Sequence, residues 1–320
     1  MARSAENDVR LSDPMRARSS ASLPDAPLLE AGLVHRLSSL RLLLGRQIAG
    51  SRRGERRSRR RGQSVEFADY RNYVAGDDLR FLDWNLYGRL ERLFLRVFLE
   101  EQELELTLLV DASPSMDFGL PNKYRFACQV AAALGYVGLS GQDHVTALVG
   151  GGGSVRQIRS LRGRTRLGRL TDHLWPLRPE PASQAQEALF SLCRTAGERL
   201  RHGLCVLISD LMLPLETVDA ALVRLVRPGV ETHVVQVLSP QELNPQLIGD
   251  LRLTDAETSA AMDITSSPGL LRRYRARLHE HTQGLDRLCR RRAMRFMQID
   301  TATALDAVLL SVFRRRGVLG

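Results

Sequence analysis

The chain has 320 residues, 43% of them hydrophobic and 26% charged, with a net charge of +10 and four cysteines. This length accommodates one large domain or two modest ones with ample core. No apolar run approaches the roughly 18 residues of a membrane span, the amino terminus has no apolar leader, and the cysteines form no CxxC pair. A cytoplasmic protein with reduced thiols in its core is therefore expected, not a disulfide framework or a zinc ribbon.

The charge is uneven: residues 1–62 carry +8, residues 63–267 carry −6 and residues 268–298 carry +7. Of 46 basic residues only Lys123 is a lysine. Residues 1–27, rich in Ser, Ala, Arg, Asp and Pro, read as a disordered tail. From Leu28, apolar residues recur at Leu33, Leu37, Leu40 and Leu44 with Val34 and Ile48 nearby, which predicts an amphipathic helix of about five turns. Ser51–Gly62 (SRRGERRSRRRG) then carries seven Arg and one Glu. Such a run can neutralise nucleic-acid phosphates, meet an anionic membrane, or be a solvated loop facing the acidic middle of the chain. The lack of interleaved aromatic residues favours the loop.

Eight of the seventeen aromatic residues fall within 63–103: Phe67, Tyr70, Tyr73, Phe81, Trp84, Tyr87, Phe94 and Phe98. Charged residues alternate with them, Gly76-Asp77-Asp78 reads as a turn and Leu93–Phe98 as a strand. A compact subdomain with hydrogen-bonded aromatic tips is expected. Leu104–Val110 is apolar apart from Glu105 and Thr107, as suits a buried parallel strand. It runs into Asp111-x-Ser113-x-Ser115, one carboxylate and two hydroxyls at a strand's carboxyl end, where open α/β sheets bind ligands. All three offer oxygen, the donor that a hard cation such as Mg2+ prefers; a simple capping turn would use the same residues.

Lys123–Gly138 is an Ala-rich amphipathic helix. Val145–Val149 and Val155–Ile158 are strands joined by Gly150–Gly153, a hairpin turn rather than a phosphate loop, since no Gly-Lys-Ser/Thr follows. Helices are expected at Leu167–Leu177, Gln184–Leu200, Leu215–Val226, Leu270–Arg292 and Ala304–Phe313. Strands are expected at Gly203–Met212, which passes through Ser209-Asp210, and at Thr232–Leu238 and Phe296–Ile299. A pair of short strands is expected in Gly249–Thr265. This alternation predicts an α/β fold with a doubly wound, mainly parallel sheet of Rossmann-type layering, preceded by a helix and the small aromatic-rich subdomain. The expected division is 1–27 tail, 28–103 amino-terminal subdomain and 104–320 sheet domain.

The Asp111-x-Ser113-x-Ser115 loop resembles the metal-ion-dependent adhesion site of von Willebrand factor A domains. The longer series SRRRGQSVEFADYRNYVAGDDLRFLDWNLYGRLERLFLRVFLEEQ, followed by LLVDASPSM, resembles the bacterial and archaeal domain-of-unknown-function family 58, from about residue 30 to the carboxyl terminus. Asn72 and Ala75 stand where prolines are expected. The resemblance implies a von Willebrand A-like domain and a non-enzymatic adaptor working with a MoxR-type AAA+ ATPase on a client protein. It also implies an Mg2+ site in which Asp111, Ser113 and Ser115 are joined by Asp210 and by a middle-loop hydroxyl. Counting back five from Ala188-Leu189 gives Ser183 for that hydroxyl; Thr165 is its rival.

Enzyme readings find less. Phosphatases with a nucleophilic strand-end Asp place a second acid where Ser113 stands, Gly-x-Ser-x-Gly is absent, and His279-Glu280-His281 lacks zinc-protease spacing. The alternative from another class is binding to nucleic acid or an anionic surface through Ser51–Gly62 and the Arg-rich segment 272–295.

Overall fold

The computed structural model describes residues 27–43, 66–99, 104–151, 154–175, 185–245, 250–254, 261–265 and 267–320. The expected tail, the basic loop Ser51–Gly62, the glycines 152–153 and Ser183 lie outside these residues. The chain divides into two units, residues 1–44 with 105–320, and residues 45–104.

In the smaller unit, strands β1 (Glu66–Asn72) and β2 (Phe94–Leu99) pair antiparallel. Polar side chains fix the segment between them. Arg71 forks onto both Asp77 carboxylate oxygens at 2.7 Å, and Asp77 also accepts from the Val74 amide. Asp83 caps the helix Trp84–Leu90 by accepting from the Asn85 and Leu86 amides and receives the Tyr70 hydroxyl at 3.1 Å. The charged and aromatic residues of the Tyr-Arg, Gly-Asp-Asp and Asp-Trp motifs thus brace one another locally. That helix was not anticipated, although Asp83 is a good N-cap residue.

In the larger unit the first helix, α1, is two turns long (Ala31–Leu37), not the five expected. The hydroxyls of Ser38 and Ser39 turn back to the carbonyls of His35 and Arg36, an alternative to helical bonding that ends the helix. The chain then extends: Arg41 and Gly320 exchange backbone hydrogen bonds, and the Leu43 amide donates to Val318. Residues 41–43 are tied to the carboxyl terminus by this isolated bridge, so α1 belongs with the sheet unit rather than with the aromatic unit.

The sheet strands are β3 (Glu105–Asp111), β4 (His144–Gly151), β5 (Ser154–Leu161), β6 (Gly203–Ser209), β7 (Val230–Leu238) and β10 (Arg295–Asp300). A separate antiparallel pair, β8 (Asp250–Thr254) and β9 (Ala261–Thr265), precedes β10 in the chain. The six-stranded order is β10-β7-β6-β3-β4-β5, parallel except for β5. This is the doubly wound sheet expected. Its chain reverses direction of growth between β3 and β6, the topological switch point where such sheets bind ligands.

Helices cover both faces because successive strand residues point to opposite sides. Leu106 and Leu108 face α3 (Lys123–Ser140), where a Cβ on Gly135 would lie 3.3 Å from Leu108 and 2.3 Å from Leu170 of the neighbouring helix Leu167–Leu174. Leu109, Leu207 and Val234 join a second cluster with Leu189 and Leu192 of α5 (Ala185–Gly197), Val218 and Leu222 of α6 (Leu215–Leu222), and Leu285 and Leu288 of α8 (Pro268–Arg291). All four cysteines are free and buried. The last helix expected, Ala304–Phe313, is a short α-turn at Leu305–Ala307 running into π-helical Val308–Phe313. Among the described residues no helix is long and apolar enough to cross a membrane.

Candidate functional site

The register of β3 against β6 sets Val110 beside Ile208, so Asp111 and Ser209 leave the sheet together at its carboxyl rim. Asp111 is buried. Its Oδ1 accepts from the Ser113 amide at 2.8 Å and its Oδ2 from the Ser209 hydroxyl at 2.6 Å. The Ser113 and Ser115 hydroxyls hydrogen-bond each other at 3.1 Å, with Ser115 the more exposed of the two. Burial, reinforced by the nearby Asp210 charge, pushes the Asp111 carboxyl up to about 6 despite these hydrogen bonds.

Asp210 follows Ser209 and is also buried. Its Oδ2 accepts from the Lys123 ammonium at 2.7 Å, while its own carbonyl receives the Gln236 side chain at 3.0 Å. Lys123 is 1% exposed and also donates to Glu242 Oε1 at 2.6 Å. Burial works against its charge, yet the Asp210 and Glu242 carboxylates outweigh it and raise the ammonium pKa. Glu242 is held in turn by a capping box: its Oε2 accepts from the amide and hydroxyl of Ser239, at the start of the one-turn helix Pro240–Leu243. Gly119, at φ +89°, lets the loop leading to Lys123 lie against Ser239, where a Cβ would come within 2.4 Å of the Ser239 Cβ.

The structure therefore brings together Asp111, Ser113, Ser115 and Asp210 of the expected site. Thr165 lies exposed in the single turn Arg164–Arg166, and Ser183 lies outside the described residues. Sequence reasoning missed three participants: Ser209, Lys123 and Glu242. Lys123 carried one signal, as the single lysine among 45 arginines; Glu242 carried another in its Ser-Pro-x-Glu capping pattern after a buried strand.

These residues do not fit a complete divalent-metal site. Mg2+ holds near-ideal octahedral geometry and gives up water reluctantly. Here Asp210 is committed to an ammonium, both Asp111 oxygens already accept hydrogen bonds, and among the described residues no three His, Cys, Asp or Glu side chains converge.

The family model described as "Protein of unknown function DUF58" matches residues 69–284. The chain belongs to this family. The DUF58 match spans the aromatic unit from Asp69 and the sheet domain as far as α8. The chain is similar to "Uncharacterized protein Rv1480" of Mycobacterium tuberculosis, 25% identical over 299 residues that cover 92% of each chain. Among solved structures it is similar to a conserved hypothetical protein BatB from Bacteroides thetaiotaomicron, at 14% identity and a TM-score of 0.38 over 67% of this chain and 98% of that one. It is also similar to a von Willebrand factor type A protein from Catenulispora acidiphila, at 12% identity and a TM-score of 0.37 over 70% of this chain and 43% of that one. Likenesses this distant assign no activity.

Proposed function

We propose that this DUF58 protein is a non-enzymatic interaction module that docks a partner on the rim formed by the loops after β3 and β6. The observation that carries the reading is the composition of that rim. Oxygen donors from Asp111, Ser113, Ser115 and Ser209 lie at the switch point, on the same two loops as two exposed apolar side chains, Leu120 (67% exposed) and Met212 (41% exposed). A polar centre with apolar flanks suits a protein partner better than a small substrate. The thiols speak against covalent chemistry, since burial pushes Cys128, Cys205 and Cys289 up to about 12 and leaves them protonated at neutral pH. The partner we propose, on the family resemblance, is a MoxR-type AAA+ ATPase acting on a client protein, with this chain as its adaptor.

Pulldown of a MoxR-type AAA+ ATPase from the same organism by the full chain and by its Asp111→Ala variant tests this reading. Capture is expected to fall at least tenfold in the variant while its thermal unfolding stays cooperative. Undiminished capture would discard docking at this rim.

A further inference from the structure

The rim contains a cation of its own. Lys123 stands at the first position of α3, after its N-cap Asn122, where the helix dipole disfavours positive charge. Its presence there is answered by two carboxylates from other strand ends, Asp210 at 2.7 Å and Glu242 at 2.6 Å. Every other basic side chain of the protein is a guanidinium, a planar fork that reaches carboxylates sideways. The ammonium is a compact point charge with three donors, the side chain closest in shape to a bound metal ion.

We propose that the Lys123 ammonium is the resident cation of this rim, taking the place that a divalent ion would hold between strand ends, and that docking proceeds without a divalent ion. Three loops are joined through it: the one leading from β3 into α3, the one after β6 through Asp210, and the one after β7 through Glu242. A divalent ion drawn to Asp210 would meet the ammonium at contact distance in a buried site, where charges are poorly screened. Among the described residues, the donors left to such an ion are the Asp111 carboxylate, with both oxygens already engaged, and the hydroxyls of Ser113, Ser115 and Ser209. The second half of the inference rests on the docking reading; the first does not.

The test is a Mn2+ titration of the full wild-type chain, stripped with EDTA and followed by electron paramagnetic resonance, together with thermal unfolding in EDTA, MgCl2 or MnCl2. The wild type is expected to bind no stoichiometric Mn2+ and to shift its Tm by less than about 1 °C. Lys123→Met is expected to lower Tm in EDTA by more than about 5 °C, through the carboxylates it strands, and Mn2+ is expected to recover at least half of that loss. Lys123→Met combined with Asp210→Asn removes one of the two stranded charges, leaving Glu242, and is expected to recover part of the lost Tm and to lose the response to metal. One Mn2+ bound per wild-type chain and lost in Asp210→Asn would overturn the proposal, as would a Lys123→Met protein of wild-type Tm. Should Lys123→Met not fold, the wild-type titration decides alone. The two readings fail separately: Mn2+ uptake by the wild type removes the ammonium's role while docking at Asp111 stands. Undiminished capture by Asp111→Ala removes docking while the titration still decides the cation.

Discussion

Asp111 and Asp210 end adjacent parallel strands, both buried, yet they are compensated by different means. Asp111 has only neutral donors, the Ser113 amide and the Ser209 hydroxyl, and its carboxyl is pushed up to about 6 by burial and by its neighbour. Asp210 has a full positive charge against it, and that charge is shared with Glu242. One half of the rim is thus locked by an ion pair, while the other keeps a carboxyl raised to about 6 and a partly buried hydroxyl at Ser115. The difference separates a structural brace from a surface on which an outside group can act.

The largest effect expected from breaking this contrast is at the brace. Removing one partner of a buried pair leaves the other charged and unsolvated, and typically costs about 3–5 kcal/mol. Urea unfolding of Lys123→Met in EDTA is expected to show a loss of this size, and a loss below about 1 kcal/mol would mean that Asp210 and Glu242 are solvated.

The second effect is at Asp111 and depends on pH. Its carboxyl titrates at about 6 when folded, against an ordinary value of 3.8, so between these values the folded chain holds a proton that the unfolded chain has released. Stability from this group is fully present below about pH 4 and is lost as pH rises through 6. Asp111→Asn lacks the term. In chelator, its stability relative to the wild type is expected to rise by roughly 2–3 kcal/mol between pH 4 and 7. A difference independent of pH would contradict the assigned environment of Asp111.

The smallest effect lies away from the rim. Arg292 of the Arg-rich segment forks onto Asp219 of α6 at 2.8–2.9 Å, with both side chains about a third exposed. Such pairs contribute about 0–1 kcal/mol. Asp219→Asn is expected to change stability by no more than that and to leave partner capture unaltered; an effect matching that of Lys123→Met would place the protein's main electrostatic brace on α8.

What was legible in the sequence follows the range of the interactions concerned. Strand β3, its Asp-x-Ser-x-Ser end, and the strand ending at Ser209-Asp210 could be read because burial of a parallel strand writes itself as a continuous apolar run. The alternation of strands with helices then set the doubly wound sheet. The first helix was read too long because Leu40 and Leu44 continue a helical spacing. Ser38 and Ser39 break it through their own backbone hydrogen bonds, and the residues beyond pair with the carboxyl terminus, Leu42 bridging Leu319 277 positions away. The ammonium brace was illegible for the same reason. Lys123 meets partners 87 and 119 residues further along, and no local pattern announces a contact between three such distant segments. Helix Trp84–Leu90 is a different case: its Asp83 cap is visible in the sequence, but the density of aromatic residues predicts only a compact subdomain and places no helix in it.

The most direct test of the account is a crystal structure of the full chain grown with millimolar MnCl2, with anomalous differences collected at the manganese edge. The expected result is Lys123 Nζ within hydrogen-bond distance of Asp210 Oδ2 and no anomalous peak at the rim. A manganese peak with Asp210 among its ligands and Lys123 turned away would contradict it.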